Sequence, residues 1–150
     1  MSFTPSKLNT FLFCKIPAAF WCGVRVKDIS AVSCIVSVKY KWFNQNPFNS
    51  MYFAVQAMAA ELSTGVLVMY HINNSNKKIS MLVTGNNATY TKKAKGRITF
   101  TCNEGEVIRD AITAAIATGQ GQVFRLQSMG VDEAGDKVSL MEFEWSIKAK

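Results

Sequence analysis

The sequence predicts an α+β fold in which an antiparallel sheet wraps one long buried helix, and three observations carry that prediction. Residues 51–72 are apolar nearly throughout, broken chiefly by Gln56, Glu61, Ser63, Thr64 and Gly65, as suits a helix buried on all sides. Elsewhere apolar and polar residues alternate with the period of a half-buried strand: Cys34, Val36, Val38 and Tyr40 against Ser37, Lys39 and Lys41, and later Met141, Phe143, Trp145 and Ile147. Finally, 150 residues, 49% of them hydrophobic, are enough for one core but not for two, so a single domain over residues 1–150 is expected.

Each element has its own local reason. Thr4 is placed to cap a short N-terminal helix and Pro5 to open it, with Leu8, Phe11 and Leu12 on one face. A short strand is expected at 24–29 and a half-buried one at 34–41, before the central helix. The polar loop 73–78 ends that helix, and strands follow at 79–91 and 97–102. Asn103 and Glu106 have the spacing of a capping box, Ile108, Ile112, Ala115 and Ile116 give the next helix its face, and Gly119 closes it. This helix is an addition before the last two strands, which form a hairpin around residues 132–136.

The apolar run 51–72 is long enough to raise a membrane span. A carboxylate in mid-span costs about 2.5–3.5 kcal/mol on insertion scales, and no basic flank precedes Met51, so a buried soluble helix is expected and no membrane span. Lys7, Asn9, Lys15 and Pro17 interrupt the early apolar residues, which argues against a signal or transit peptide and makes a cytoplasmic location the expectation. Cys14, Cys22, Cys34 and Cys102 lack paired spacing, and His71 is the only histidine. Reduced structural cysteines are therefore favoured over a disulfide, a zinc site or a Cys–His pair, and neither metal nor resident cofactor is expected. His71, at the helix end, suits a capping or surface role.

Glu61 is the first functional candidate, because a lone carboxylate in an apolar helix is costly unless it is paired, hydrogen-bonded or used. A structural alternative is a basic partner across a subunit interface. Asn46 beside Pro47 is by itself ordinary turn chemistry. Tyr40, Trp42, Phe43, Phe48, Tyr52 and Phe53 could line an apolar channel, although aromatic residues at this density more often belong to a core or interface.

Taken together, Asn46, Ser50, Tyr52-Phe53-Ala54 and Glu61 resemble the hotdog-fold thioesterase superfamily, in particular its phenylacetate-pathway branch and uncharacterised relatives of that branch. In that family an Asn, a turn hydroxyl, a His-Gly-Gly segment and an acidic residue in the central helix follow in the same register. Here Tyr52, Phe53 and Ala54 stand in the His-Gly-Gly positions and Val83 where some relatives carry a hydroxyl. Residues 87–94 resemble the strand and corner that follow.

The resemblance implies a thioester hydrolase with its site near a boundary between subunits of a homodimer or homotetramer. Glu61 would activate water or attack the carbonyl, Asn46 would position the thioester or the water, and amides near Phe53 would meet the oxyanion. Tyr52 would donate a hydrogen bond, and Tyr52 and Phe53 would contact substrate. The net charge of +7 favours an anionic partner, and Lys92, Lys93, Lys95 and Arg97 cluster where they could meet coenzyme A phosphates, coenzyme A entering only as part of an acyl-CoA substrate. A solvated turn is the plainer explanation of that cluster. No nucleic-acid motif accompanies it. The alternative from another class is a non-catalytic acyl-CoA or fatty-acyl binding module, with a dehydratase third.

Overall fold

Residues 3–150 are described by a computed structural model. Six strands form one antiparallel sheet: β1 (Arg25–Ile29), β2 (Cys34–Lys39), β3 (Ile79–Tyr90), β4 (Arg97–Cys102), β5 (Gln122–Val131) and β6 (Lys137–Ala149). Their spatial order is β1-β2-β4-β5-β6-β3, so the strand following the central helix crosses to the far edge. Among the described residues four α-helices accompany the sheet: α1 (Pro5–Lys15), α2 (Pro17–Trp21), α3 (Phe53–Asn74) and α4 (Gly105–Thr118).

The sheet curls around α3 because both are apolar where they meet. Val55, Ala59, Ala60, Leu62, Val66, Leu67 and Val68 are buried on the helix, opposite Val36, Val38, Ile98, Phe100, Leu126 and Met141 from the strands. The helix is long and apolar enough to cross a membrane, yet 61% of its apolar window is buried within the protein. Its few interior hydroxyls are matched. Ser63 Oγ donates to Ala60 O and lies 2.7 Å from Ser128 Oγ, and Trp145 Nε1 donates to Thr64 Oγ1 at 3.0 Å.

Thr4 caps α1, as its sequence indicates: its hydroxyl accepts from Lys7 N, and Pro5 opens the helix. Two local details differ from expectation. The spacing of Asn103 and Glu106 does not produce a capping box, since Glu104 is the N-cap residue and makes no side-chain cap. Its carboxylate instead accepts from Gln127 N of β5 at 2.5 Å. The start of α4 is decided by close packing: a Cβ at Gly105 would come within 2.0 Å of Ala31 O. Nor does His71 cap α3, which continues to Asn74. Its Nε2 sits 2.8 Å from Ala31 O and holds the loop before β2.

Between β2 and α3 a short 3₁₀ turn, Trp42–Asn44, is tied down by Asn44, whose buried amide donates to Cys22 O and Lys39 O. Tyr52 N then donates to Asn44 O and Met51 N to Ala94 O. These bonds place the first turn of α3 beside the corner that follows β3.

Candidate active site at the start of the central helix

A groove of about 570 Å³ opens at this junction, lined by Asn46, Phe48, Tyr52, Phe53, Gln56 and Tyr90 among others. Its floor is the start of α3. The N–H groups of Val55 and Gln56 both turn back to Tyr52 O, so those of Phe53 and Ala54 have no backbone acceptor among the described residues. Free amides at the positive end of a helix of 22 residues are donors suited to a carbonyl oxygen gaining charge.

A smaller chamber of about 290 Å³ lies next to the groove, between Ala57 of α3, residues 86–88 of β3, and Met141 and Phe143 of β6. Phe53 and Tyr90 line both spaces. Their rings meet edge to face at 6.3 Å and form the wall between them. Burial pushes the Tyr90 phenol up, so it stays a neutral hydrogen-bond donor near neutral pH.

Glu61 stands one helical turn beyond Ala57. Its half-buried carboxylate has neither a hydrogen bond nor an ion pair among the described residues, and burial holds its pKa above the ordinary glutamate value. A Cβ at Gly65 would sit 3.1 Å from Glu61 Oε1 and 3.2 Å from the Trp145 ring. The bare glycine therefore leaves room for both the carboxylate and the indole beside it. An unpaired, desolvated carboxylate is a strong proton acceptor, which is what activation of water requires.

The other residues named from sequence divide. Tyr52 and Phe53 line the groove and are themselves in edge contact at 5.0 Å. Asn46 lines it too, but both ends of its carboxamide are engaged in the turn it starts. Nδ2 donates to Ser50 Oγ and Met51 O, and Oδ1 accepts from Phe48 N at 2.9 Å. Glu61 does not line the groove that holds Asn46. Trp42 and Phe43 are exposed outside it, at 80% and 57%.

The basic cluster is split by its own neighbours. Lys92 is clamped between Asp132 and Asp136, 2.5 and 2.7 Å away, and Arg97 turns towards Ser37 while its N–H meets Glu133. Among the described residues Lys93 has no acidic partner; it lines the groove and donates to Phe48 O at 3.3 Å. Lys95 and Arg97 are not part of the lining. Sequence reasoning missed Gln56 and Tyr90. Gln56 carried the same signal as Glu61, a polar side chain in an apolar helix, but served only to argue against a membrane span.

Burial pushes the thiols of Cys34 and Cys102 up to about 12 and about 11, so they remain protonated. The four cysteines are free, and no group of three or more His, Cys, Asp or Glu able to hold a metal occurs among the described residues.

No curated protein matches the sequence, whereas solved structures match its whole length. A Pseudomonas aeruginosa protein of unknown function, described as a probable thioesterase, superposes with TM-score 0.80 at 21% identity, over 98% of this chain and 97% of that one. A Chlorobaculum tepidum protein of unknown function reaches TM-score 0.83 at 15% identity, over 97% and 94%. A thioesterase (EC 3.1.2.-) from Haemophilus influenzae gives TM-score 0.74 at 14% identity, over 99% and 93%. Likeness at these identities establishes the hotdog fold, the architecture expected from sequence. The model of the family described as a domain of unknown function, DUF4442, matches residues 6–147, and the chain belongs to that family, on a hotdog fold shared with thioesterases.

Proposed function

We propose that the protein is a thioester hydrolase acting on an acyl-CoA or related thioester, with Glu61 as its general base. The observation that carries this reading is the unpaired, half-buried Glu61 carboxylate with its raised pKa, on the same helix whose first amides open at the groove. Glu61 takes a proton from water, and the water oxygen attacks the thioester carbon. Glu61 stands seven to eight residues, about 11–12 Å, along the helix from the first amides of its own chain. The oxyanion that forms is therefore held by the N–H groups of the partner's Phe53 and the partner's Ala54 across the subunit boundary. Collapse of the tetrahedral intermediate breaks the carbon–sulfur bond, and the thiolate recovers the proton from Glu61.

Tyr52 and Phe53 contact substrate, Asn46 positions the rim of the groove through the turn it holds, and Lys93 meets the anionic coenzyme A arm. Support for a homodimer or tetramer with the site near a subunit boundary comes from β3, a 12-residue strand at the open edge of the sheet that exposes Leu82 at 65%. Cytoplasmic location remains the expectation for such an enzyme. Light scattering tests the assembly, and a strictly monomeric species at micromolar concentration removes the shared site.

The decisive test is hydrolysis of a panel of acyl-CoA esters by wild type and by Glu61→Gln. Loss of turnover with binding retained supports the assignment, and full activity in a folded variant overturns it. One observation favours the binding-module alternative: Phe53, 55% exposed, lines the groove itself and narrows the approach to the helix amides. Wild type that binds the esters without hydrolysing them would establish that alternative.

A further inference from the structure

Gln56 occupies a costly position. The residue is 4% exposed and lines the groove, yet its Oε1 has no hydrogen-bond partner among the described residues. Burying a carboxamide oxygen unpaired is unfavourable, and a methionine or leucine would fill the same space in this apolar helix without that penalty.

Two neighbouring side chains are committed to each other: Ser50 Oγ accepts from Asn46 Nδ2 and donates to Asn46 Oδ1, and Asn46 Oδ1 also accepts from Phe48 N and Ser50 N. The helix amides and Lys93 can only donate. In the groove lining, the buried side-chain oxygen left without any donor among the described residues is that of Gln56, and a hydrogen-bond donor entering the groove can satisfy it. The terminal torsion of a glutamine is broad and two-fold, so a half-turn of the carboxamide presents the oxygen to the groove while the helix stays in place.

We infer that Gln56 is a specificity-determining residue: it accepts a hydrogen bond from a donor that the thioester substrate carries close to the start of α3. This rests on the thioester reading above and narrows it. Two parts of such a substrate can supply the donor, a hydroxyl on the acyl chain or an amide N–H on the thiol arm. A substrate with no donor leaves the oxygen unpaired and is discriminated against for that reason.

The experiment compares kcat/KM within two matched pairs, for wild type, Gln56→Met and Gln56→Leu. One pair is a 3-hydroxyacyl-CoA and the plain acyl-CoA of equal length. The other is a single acyl group on N-acetylcysteamine, which has one amide N–H, and on an alkanethiol of equal length. Wild type is expected to favour the donor-bearing member of at least one pair by about tenfold or more. Both variants lose that preference, and the pair that responds identifies the source of the donor. Thermal melting accompanies the kinetics, and Gln56→Met is expected to melt no lower than wild type, because it removes an unpaired buried oxygen. Absence of any preference in wild type, or ratios unmoved in the folded variants, overturns the role of Gln56 while leaving hydrolysis intact. Failure of wild type to bind or hydrolyse any of the four compounds overturns the thioester reading, and this inference with it.

Discussion

Two stretches of α3, before and after Leu62, treat buried polar groups in opposite ways. In the later stretch Ser63 meets Ser128 and Thr64 receives the Trp145 N–H, at 2.7 and 3.0 Å. In the earlier stretch Gln56 Oε1 has no partner and Glu61 is desolvated without one among the described residues. One helix with one mean composition thus holds a matched end that fixes the wrap of the sheet and an unmatched end beside a groove. Buried polar groups without partners are unfavourable for folding, and on α3 they fall in the stretch that begins at the groove, not in the stretch that holds the sheet.

The largest expected effect tests the matched stretch. Trp145→Ala removes a side chain 3% exposed and should lower stability by about 3–5 kcal/mol, measured by denaturant unfolding. A loss below about 1 kcal/mol would mean that the indole does not anchor the sheet to the helix.

At the unmatched end, Glu61→Gln should lower thioester hydrolysis by about a hundredfold or more while leaving the fold at least as stable. The sign follows from the raised pKa. The folded state holds the Glu61 proton more tightly than the unfolded chain, so this residue lowers stability as pH rises from the ordinary glutamate value through the raised native one. Activity should rise across that same window as the carboxylate ionises. Unfolding of Glu61→Gln should lack this part of the pH dependence, and an unchanged profile would show that the carboxylate is not desolvated in solution.

Ser63→Ala sharpens the comparison at smaller scale. It strands Ser128 Oγ in the core and should cost about 1–3 kcal/mol, whereas Ser63→Ala combined with Ser128→Ala should recover part of that loss. Simple addition of the two single effects would mean the hydroxyls do not interact.

The smallest effect concerns charge. Lys93→Ala should weaken coenzyme A ester binding by about two- to threefold at low salt and less at high salt. Lys92→Ala and Lys95→Ala should do less, since Lys92 is held by two aspartates and Lys95 lies outside the groove lining. Equal effects of all three would make the patch a diffuse field rather than a groove contact.

Much of the fold was legible before any coordinates. The apolar run of α3, the alternation in β2 and β6, and the Thr4-Pro5 helix start are local patterns whose period or chemistry permits few structures. The capping box at Asn103 failed because close packing of Gly105 on Ala31 placed the start of α4, and no local pattern records a contact between distant segments. The site was legible in part. Glu61 stands out because charge in an apolar helix is conspicuous, and Tyr52 and Phe53, named from the sequence, line the groove. Gln56 offered a weaker form of the same signal, and its meaning depended on knowing that no partner reaches its oxygen.

Sequence alone thus determined the class of fold, the buried helix and the position of an anomalous carboxylate, since hydrophobic period and isolated charge are properties of neighbouring residues. Tertiary structure decided which polar groups found partners. Asn46 closed on its own turn, Lys92 on two aspartates, and His71 on the loop at Ala31, while Gln56 and Glu61 were left open. Hydrogen-bond satisfaction is a property of residues brought together from distant parts of the chain, and only folding reveals which of them are used to hold the structure and which remain free for chemistry.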